Sequence, residues 1–236
     1  MPNAHAPIAY FAFNRPEHTA RTLAALAANP EAGDTDLHVF VDGPRKEDER
    51  DAVEKVIALA GRVSGFASVE VHAASEKQGL YRAITSGVTR VVADAKRVIV
   101  VEDDILVSPH FLAYMNEALD RYENEPKVGS IHGYSPPIDG LPDYFFMRGG
   151  DCWGWATWTD RWTLFDADAD KLRRMLVSKR LLTEYCLSRG SSSLLYLLRR
   201  ARGRNQSWAV LWDVSLFLAG RYTLHPGKSL VSNIGN

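Results

Sequence analysis

Two periodicities alternate through the first half of the chain. Ile8 to Phe13 is an unbroken apolar run that stops at Asn14-Arg15-Pro16, the pattern of a buried strand. Pro16 suits the first turn of a helix, and Leu23, Ala24, Leu26 and Ala27 recur at helical spacing until Asn29-Pro30. Leu37 to Val41 predicts a second strand closed by Asp42-Gly43-Pro44, followed by a charged helix from about Lys46 to Ala60. A third strand spans Ala67 to His72, and Gly79 opens a helix running to about Ala93. The β-branched run Arg97 to Val101 is a fourth strand, Pro109 starts a helix through Tyr122, and Val128 to Ile131 is a fifth strand.

Strand and helix in strict alternation predict crossover connections and an α/β fold, Rossmann-like, with a largely parallel central sheet flanked by helices. In such sheets ligands bind beyond the carboxyl ends of the strands. The polar clusters fall there: Asn14-Arg15, Asp42-Gly43 and Glu102-Asp103-Asp104. The second half differs. It has a tryptophan-rich turn (Trp153, Trp155, Trp158, Trp162), then basic helical segments, then a short strand at Tyr222 to Leu224. No linker separates independent domains, so residues 1–135 are expected to be the ligand-binding half and 136–236 the acceptor half of a single domain.

Composition excludes some classes. The chain has 236 residues, 46% of them apolar and 24% charged, which suits a folded domain and not a disordered one. A net charge of -1 gives no case for nucleic-acid binding. The charge is uneven, however: Lys171 to Arg204 carries about ten basic residues against the single acid Glu184. That segment is either a set of solvated helix faces or a surface for anionic lipid. Cys152 and Cys186 are too few for a disulfide framework and fit a reduced setting. Met1 to Pro7 has no signal-peptide pattern, and the apolar run Trp208 to Leu218 is broken by Asp213 and short of a membrane span. A soluble, cytoplasmic protein is expected; on the lipid-surface reading of residues 171–204 it would also make peripheral contact at the inner face of a membrane, and on the other reading those residues are solvated helix faces. The ending at Ser232 to Asn236 suggests a short or truncated tail.

The chemistry concentrates after the fourth strand. Val98-Ile99-Val100-Val101 runs straight into Glu102-Asp103-Asp104. Three adjacent acids repel one another and are costly to desolvate, a conflict that a divalent cation removes. Oxygen ligands suit Mn²⁺ or Mg²⁺, which complete their shells with water and substrate phosphates. An acidic loop at a sheet edge is the simpler alternative.

A strand ending in an acidic triplet of Asp-x-Asp character resembles the metal site of GT-A glycosyltransferases. Val-Val-Glu-Asp-Asp in particular resembles the N-acetylglucosaminyltransferase I family. Ala12, Phe13, Asn14 and Arg15 resemble the first strand and turn of that family, which hold the nucleobase end of the donor. Asp42 matches the acid expected at the uracil, and Lys77 to Arg82, with Gly79 and Arg82, resembles a helix start of many sugar transferases. The resemblance implies a GT-A fold, a nucleotide-sugar donor (UDP in the first instance), Asp104 as metal ligand, and Glu102 and Asp103 facing the ribose and donor sugar. It also implies a glycan or lipid-linked saccharide acceptor, and inversion by direct displacement. The short length and different loops bring the chain closer to bacterial sugar transferases of polysaccharide gene clusters.

The acceptor side needs a general base. Trp212-Asp213 resembles the acceptor-loop Trp-Asp of the family, and Asp213 interrupts an apolar helix, so it either catalyses or pairs with an arginine. Asp151, in Gly149-Gly150-Asp151-Cys152-Trp153, is the rival. Trp155, beside Gly154, is the candidate for stacking on a sugar, whereas Trp158 and Trp162 are expected in the core. His132 is expected to be structural, and His225 is a candidate further metal or phosphate contact. Two other functions compete: a sugar nucleotidyltransferase, disfavoured by the lack of a glycine-rich loop after the first strand, and a non-catalytic nucleotide-sugar or glycan-binding module. A Rossmann dehydrogenase lacks its Gly-x-Gly-x-x-Gly signature.

Overall fold

The computed structural model describes residues 5–235. Its first half follows the predicted alternation: β1 (Ile8–Ala12), α1 (Pro16–Ala27), β2 (Asp36–Val41), α2 (Arg50–Ala60), β3 (Ser68–Ala73), α3 (Leu80–Ala95) and β4 (Arg97–Glu102). A short strand β5 (Ile105–Val107), α4 (Phe111–Tyr122) and β6 (Val128–His132) come next. The second half contributes β7 (Tyr144–Arg148), β8 (Trp155–Trp158), a single turn α5 (Thr159–Trp162) and α6 (Ala169–Ser178). It ends with α7 (Leu182–Arg189), α8 (Ser191–Ala201), α9 (Ala209–Leu218), β9 (Tyr222–Pro226) and β10 (Val231–Asn233).

Eight strands form the central sheet in the order β3-β2-β1-β4-β8-β6-β9-β7, and β5 pairs with β10 outside it. Within the sheet β8 runs antiparallel to both β4 and β6, and β7 antiparallel to β9, while its other pairings are parallel; β5 and β10 are antiparallel. Six strands therefore share one direction, giving the mostly parallel, helix-flanked sheet that the pattern predicts. One feature departs from it. The middle of the tryptophan-rich segment, Trp155 to Trp158, is not a turn but strand β8, inserted between β4 and β6. All four of its residues are buried, so no alternation of apolar and polar residues marked it.

Alternate side chains of each central strand enter different cores, as the period of two requires. Ile8, Tyr10 and Ala12 of β1, with Ile99 and Val101 of β4, pack under α1, α2 and α4. Ala9 and Phe11, with Val98 and Val100, pack on the opposite face with α3 and the tryptophans. A third core joins α6, α7, α8 and α9 through Leu172, Leu176, Tyr185, Leu197 and Phe217. α9 belongs to both of the last two cores, which explains its nearly continuous apolar sequence and ties the helical C-terminal region to the sheet.

Candidate functional site

The carboxyl ends of β1, β2 and β4 open into one cleft of about 310 Å³. It is lined by Ala12, Phe13, Asn14, Arg15, Asp42, Glu102, Asp103 and Asp104, all selected from the sequence, together with Phe11, Arg45, Lys77, Leu80 and Ala83. The parallel register of β1 with β2 and β4 brings these strand ends level.

Asp42 is buried at the end of β2, and its carboxylate is saturated. Oδ1 accepts the backbone N–H groups of Gly43 (2.9 Å) and Gln78 (2.7 Å), and Oδ2 accepts that of Gly79 (3.0 Å). Lys77 Nζ lies 2.7 Å from Oδ2 and 3.4 Å from the centroid of the Phe13 ring. Asp42 therefore anchors the loop before α3 and sets Lys77 over an aromatic face. Gly79 serves through its backbone, at a φ of 84° that favours glycine. Arg82 is exposed on α3 and does not line the cleft.

The acidic triplet shares one counter-charge. Arg15 Nη1 lies 3.2 Å from Asp104 Oδ2 and 3.7 Å from Asp103 Oδ1. Burial, reinforced by Asp104 and Asp103, pushes the Glu102 carboxyl up to about 8. Burial raises Asp103 to about 6 against the opposing pull of Arg15. A buried Glu102 carboxyl that holds its proton near neutral pH, beside two further carboxyl groups, fits a hard divalent cation, which would displace that proton. The tail completes this corner. Ile234 N–H donates to the Asp104 carbonyl (2.8 Å), His18 Nε2 contacts the Ile234 carbonyl (3.0 Å), and Gly235 lies against the Asp104 side chain.

A second polar cluster joins the Gly149-Gly150-Asp151 segment to α7 and α9. Asp213 is enclosed: Oδ1 accepts Gly150 N–H (3.1 Å) and is ion-paired with Arg189, whose Nε lies 2.8 Å away, and Oδ2 accepts the Tyr185 hydroxyl (2.7 Å). Burial raises Asp213 to about 6, with Arg189 opposing. Arg189 also reaches Asp151 Oδ2 at 3.0 Å, and the Asp151 side chain keeps 30% of its surface. Burial alone would raise Asp151, but His132, Arg189 and His225 more than offset it and hold the carboxyl below its ordinary range. Burial, reinforced by the charges of Glu102, Asp151, Asp104 and Asp213, pushes the thiol of Cys152, next in the chain, well above its ordinary range.

His225 was expected beside the metal with Asp104. Instead, among the described residues, it groups with His132 and Asp151, and no cluster of three ligand atoms joins it to Asp104. Within that group His132 is already committed. The Trp153 N–H donates to His132 Nε2 at 3.0 Å, so the neutral ring carries its proton on Nδ1, the atom 3.3 Å from His225 Nδ1. Burial lowers His132 to about 4, which keeps it neutral. His225 Nε2 lies 3.6 Å from Asp151 Oδ2 without a hydrogen bond, so the trio stands behind Asp151 as a ligand-type group separate from Asp104.

Trp155 requires a correction too. It is fully buried, packed against Trp162, Trp208 and Trp212 at 5.5–5.8 Å between centroids, and no ring face is left for a sugar. Its place in a strand flanked on both sides is the cause. Trp158 and Trp162 are buried, as expected. Three features escaped the sequence pattern: Lys77 over Phe13, Arg189 between two aspartates, and the tail on Asp104. Arg189 sat in a basic segment indistinguishable from a solvated helix face.

No protein-family model matches the chain, and no curated protein compared with it matches. Among solved structures it is similar to residues 1–349 of S. aureus TarS, with a TM-score of 0.44 and 10% identity over 65% of this chain and 47% of that one. It is likewise similar to the same protein in complex with UDP-GlcNAc, with a TM-score of 0.44 and 9% identity over 67% and 46% of the two chains. The matched region is less than half the length of the TarS chains, and likeness at this level assigns neither activity nor residues.

Proposed function

We propose that the chain is a GT-A-type glycosyltransferase that transfers a sugar from a nucleotide donor, UDP in the first instance, to a glycan or lipid-linked saccharide. One observation carries this conclusion: the acidic triplet after β4 shares a cleft with Phe13, Arg15 and Asp42 from the ends of β1 and β2. A nucleoside diphosphate fits that arrangement at the carboxyl ends of parallel strands. The base stacks near Phe13, where Lys77 now lies, and the loop held by Asp42 frames it. Asp104, with Asp103, would hold Mn²⁺ or Mg²⁺, which supplies Lewis-acid stabilisation of the departing diphosphate. Arg15, released from the two carboxylates, is in position to pair with a phosphate oxygen.

For the base, access and basicity point to different aspartates. Asp213 has the raised pKa but is enclosed by three partners, whereas Asp151 is depressed but reaches solvent. Geometry decides before pKa does, because a base must reach the acceptor hydroxyl. Asp151 is therefore the base of this mechanism, and Asp213 positions it through Arg189 and Gly150. The acceptor side extends toward α7 and α8. There Leu187, Leu195 and Tyr196 are exposed, and Arg199, Arg202 and Arg204 are exposed nearby in sequence. This combination supports contact with an anionic membrane carrying a lipid-linked acceptor.

Calorimetric titration of UDP, with Mn²⁺ and with EDTA, tests the donor site in the wild type and Asp104→Ala. Binding that requires both the metal and Asp104 is expected. If UDP, GDP and dTDP all fail to bind the folded wild type with Mn²⁺, the proposal is wrong.

A further inference from the structure

Away from the cleft, β2 and the edge strand β3 carry a second concentration of ligand-type side chains. Their parallel register sets His38 opposite Glu70 and Phe40 opposite His72. The period of two then brings all four side chains to one face. His38 Nδ1 lies 3.3 Å from Glu70 Oε2, and His72 Nδ1 lies 3.5 Å from Glu70 Oε1. All three ligand atoms fall within 4.8 Å of one another.

We propose that His38, Glu70 and His72 form a binding site for a borderline transition-metal dication, such as Zn²⁺, Co²⁺ or Ni²⁺. Metal–nitrogen and metal–oxygen bonds of about 2.0–2.1 Å in a tetrahedron set neighbouring ligand atoms about 3.3–3.4 Å apart. The two imidazole–carboxylate separations, 3.3 and 3.5 Å to different oxygens of Glu70, lie close to that edge. The first is not a hydrogen bond: His38 Nδ1 is buried without a hydrogen-bond partner despite its closeness to the carboxylate. The rings are also held in place. His72 packs on Phe40 at 4.6 Å and stacks parallel to His38 at 5.8 Å. Burial keeps the His72 imidazole below its ordinary pKa, hence neutral and able to coordinate.

Two further features suit the site. Glu70 is about half exposed, and a cavity of about 350 Å³ lined by His5, His38, Glu70 and Arg90, but not by His72, gives entry from the His38 side and room for water as the fourth ligand. Arg90 of α3, 3.1 Å from Glu70, is the resident cation that a metal would displace. Two nitrogen donors and one oxygen select a different metal from the all-oxygen triplet after β4. A metal here would staple β2 to β3, the strands whose ends carry Asp42 and the loop that it anchors.

Cobalt(II) is the probe, followed by its visible absorption and by thermal unfolding of the full chain in the wild type, His38→Gln, His72→Gln and Asp104→Ala. One equivalent of tetrahedral Co²⁺ and a raised melting temperature are expected in the wild type and in Asp104→Ala. In both histidine variants, folded without metal as judged by circular dichroism in EDTA, affinity falls at least about tenfold. If either variant does not fold, Glu70→Gln, at an exposed position, takes its place with the same expected loss. Cobalt binding unchanged in the substituted variants, absent from the wild type, or abolished by Asp104→Ala alone would overturn the proposal.

Discussion

The Arg15 guanidinium stands 3.2 Å from the Asp104 carboxylate, so the chain supplies a cation of its own where the proposed mechanism uses a metal. Arg15 must then be displaced when the metal enters. Arg15→Gln is expected to bind Mn²⁺ more tightly by about 1 kcal/mol, roughly fivefold, a value kept small because the arginine is 44% exposed. The same variant is expected to bind UDP less well once metal is saturating. Titration of free Mn²⁺ by electron paramagnetic resonance, without nucleotide, measures the first effect.

Asp42 acts as a brace for the loop before α3. Asp42→Ala strands three backbone N–H donors and the Lys77 ammonium, and is expected to cost about 2–4 kcal/mol of stability. Asp42→Asn keeps an acceptor and should lose less. Urea unfolding of the two variants compares them.

Two buried groups pull stability in opposite directions as pH changes. Asp213 is raised from 3.8 to about 6, so its contribution is full below pH 3.8 and is lost as pH rises through 6. His132 is lowered from 6.5 to about 4, so its contribution is present above pH 6.5 and is lost as pH falls through 4. Between these limits they partly cancel. Asp213→Asn is expected to steepen the loss of stability toward acid and His132→Gln to flatten it, as read from urea midpoints between pH 4 and 6.5.

The two aspartates separate in kinetics. Asp151→Asn is expected to lower turnover about 10²–10⁴-fold with UDP affinity preserved. Tyr185→Phe removes the 2.7 Å hydrogen bond to Asp213 and is expected to lower stability by about 1 kcal/mol with a smaller kinetic effect. Release of UDP from a UDP-sugar, with water as acceptor, provides the assay.

Leu187, with 84% of its surface exposed, and Leu195 and Tyr196 define the test of membrane contact. Co-sedimentation with anionic vesicles at low salt, release by salt, and weakening in Leu187→Gln/Leu195→Gln are expected. Equal binding to neutral vesicles would refute an electrostatic contribution.

The residues of the cleft were legible because the local pattern was complete. A β-branched run ending in three acids, an apolar strand ending at Asn14-Arg15, and Leu37 to Val41 ending at Asp42 each declare a strand end. The rule that ligands bind beyond such ends then groups them without coordinates. Side-chain commitments were not legible in this way. The sequence left Asp213 between catalysis and pairing and could not name the partners of Asp42, whereas in the fold donors from residues 36, 37 and 63 positions away occupy their oxygens.

The sequence by itself determined the alternation of strands and helices, the two-faced burial of β1 and β4, and the charge of the triplet. Each depends on neighbours within a few residues, where periodicity and turn chemistry act. Only the tertiary structure decided that β8 lies between β4 and β6, hiding Trp155, that Arg189 links Asp151 to Asp213, and that the tail rests on Asp104. These are contacts between distant segments, selected by packing and by the need to satisfy buried polar groups, and no local pattern encodes their partners.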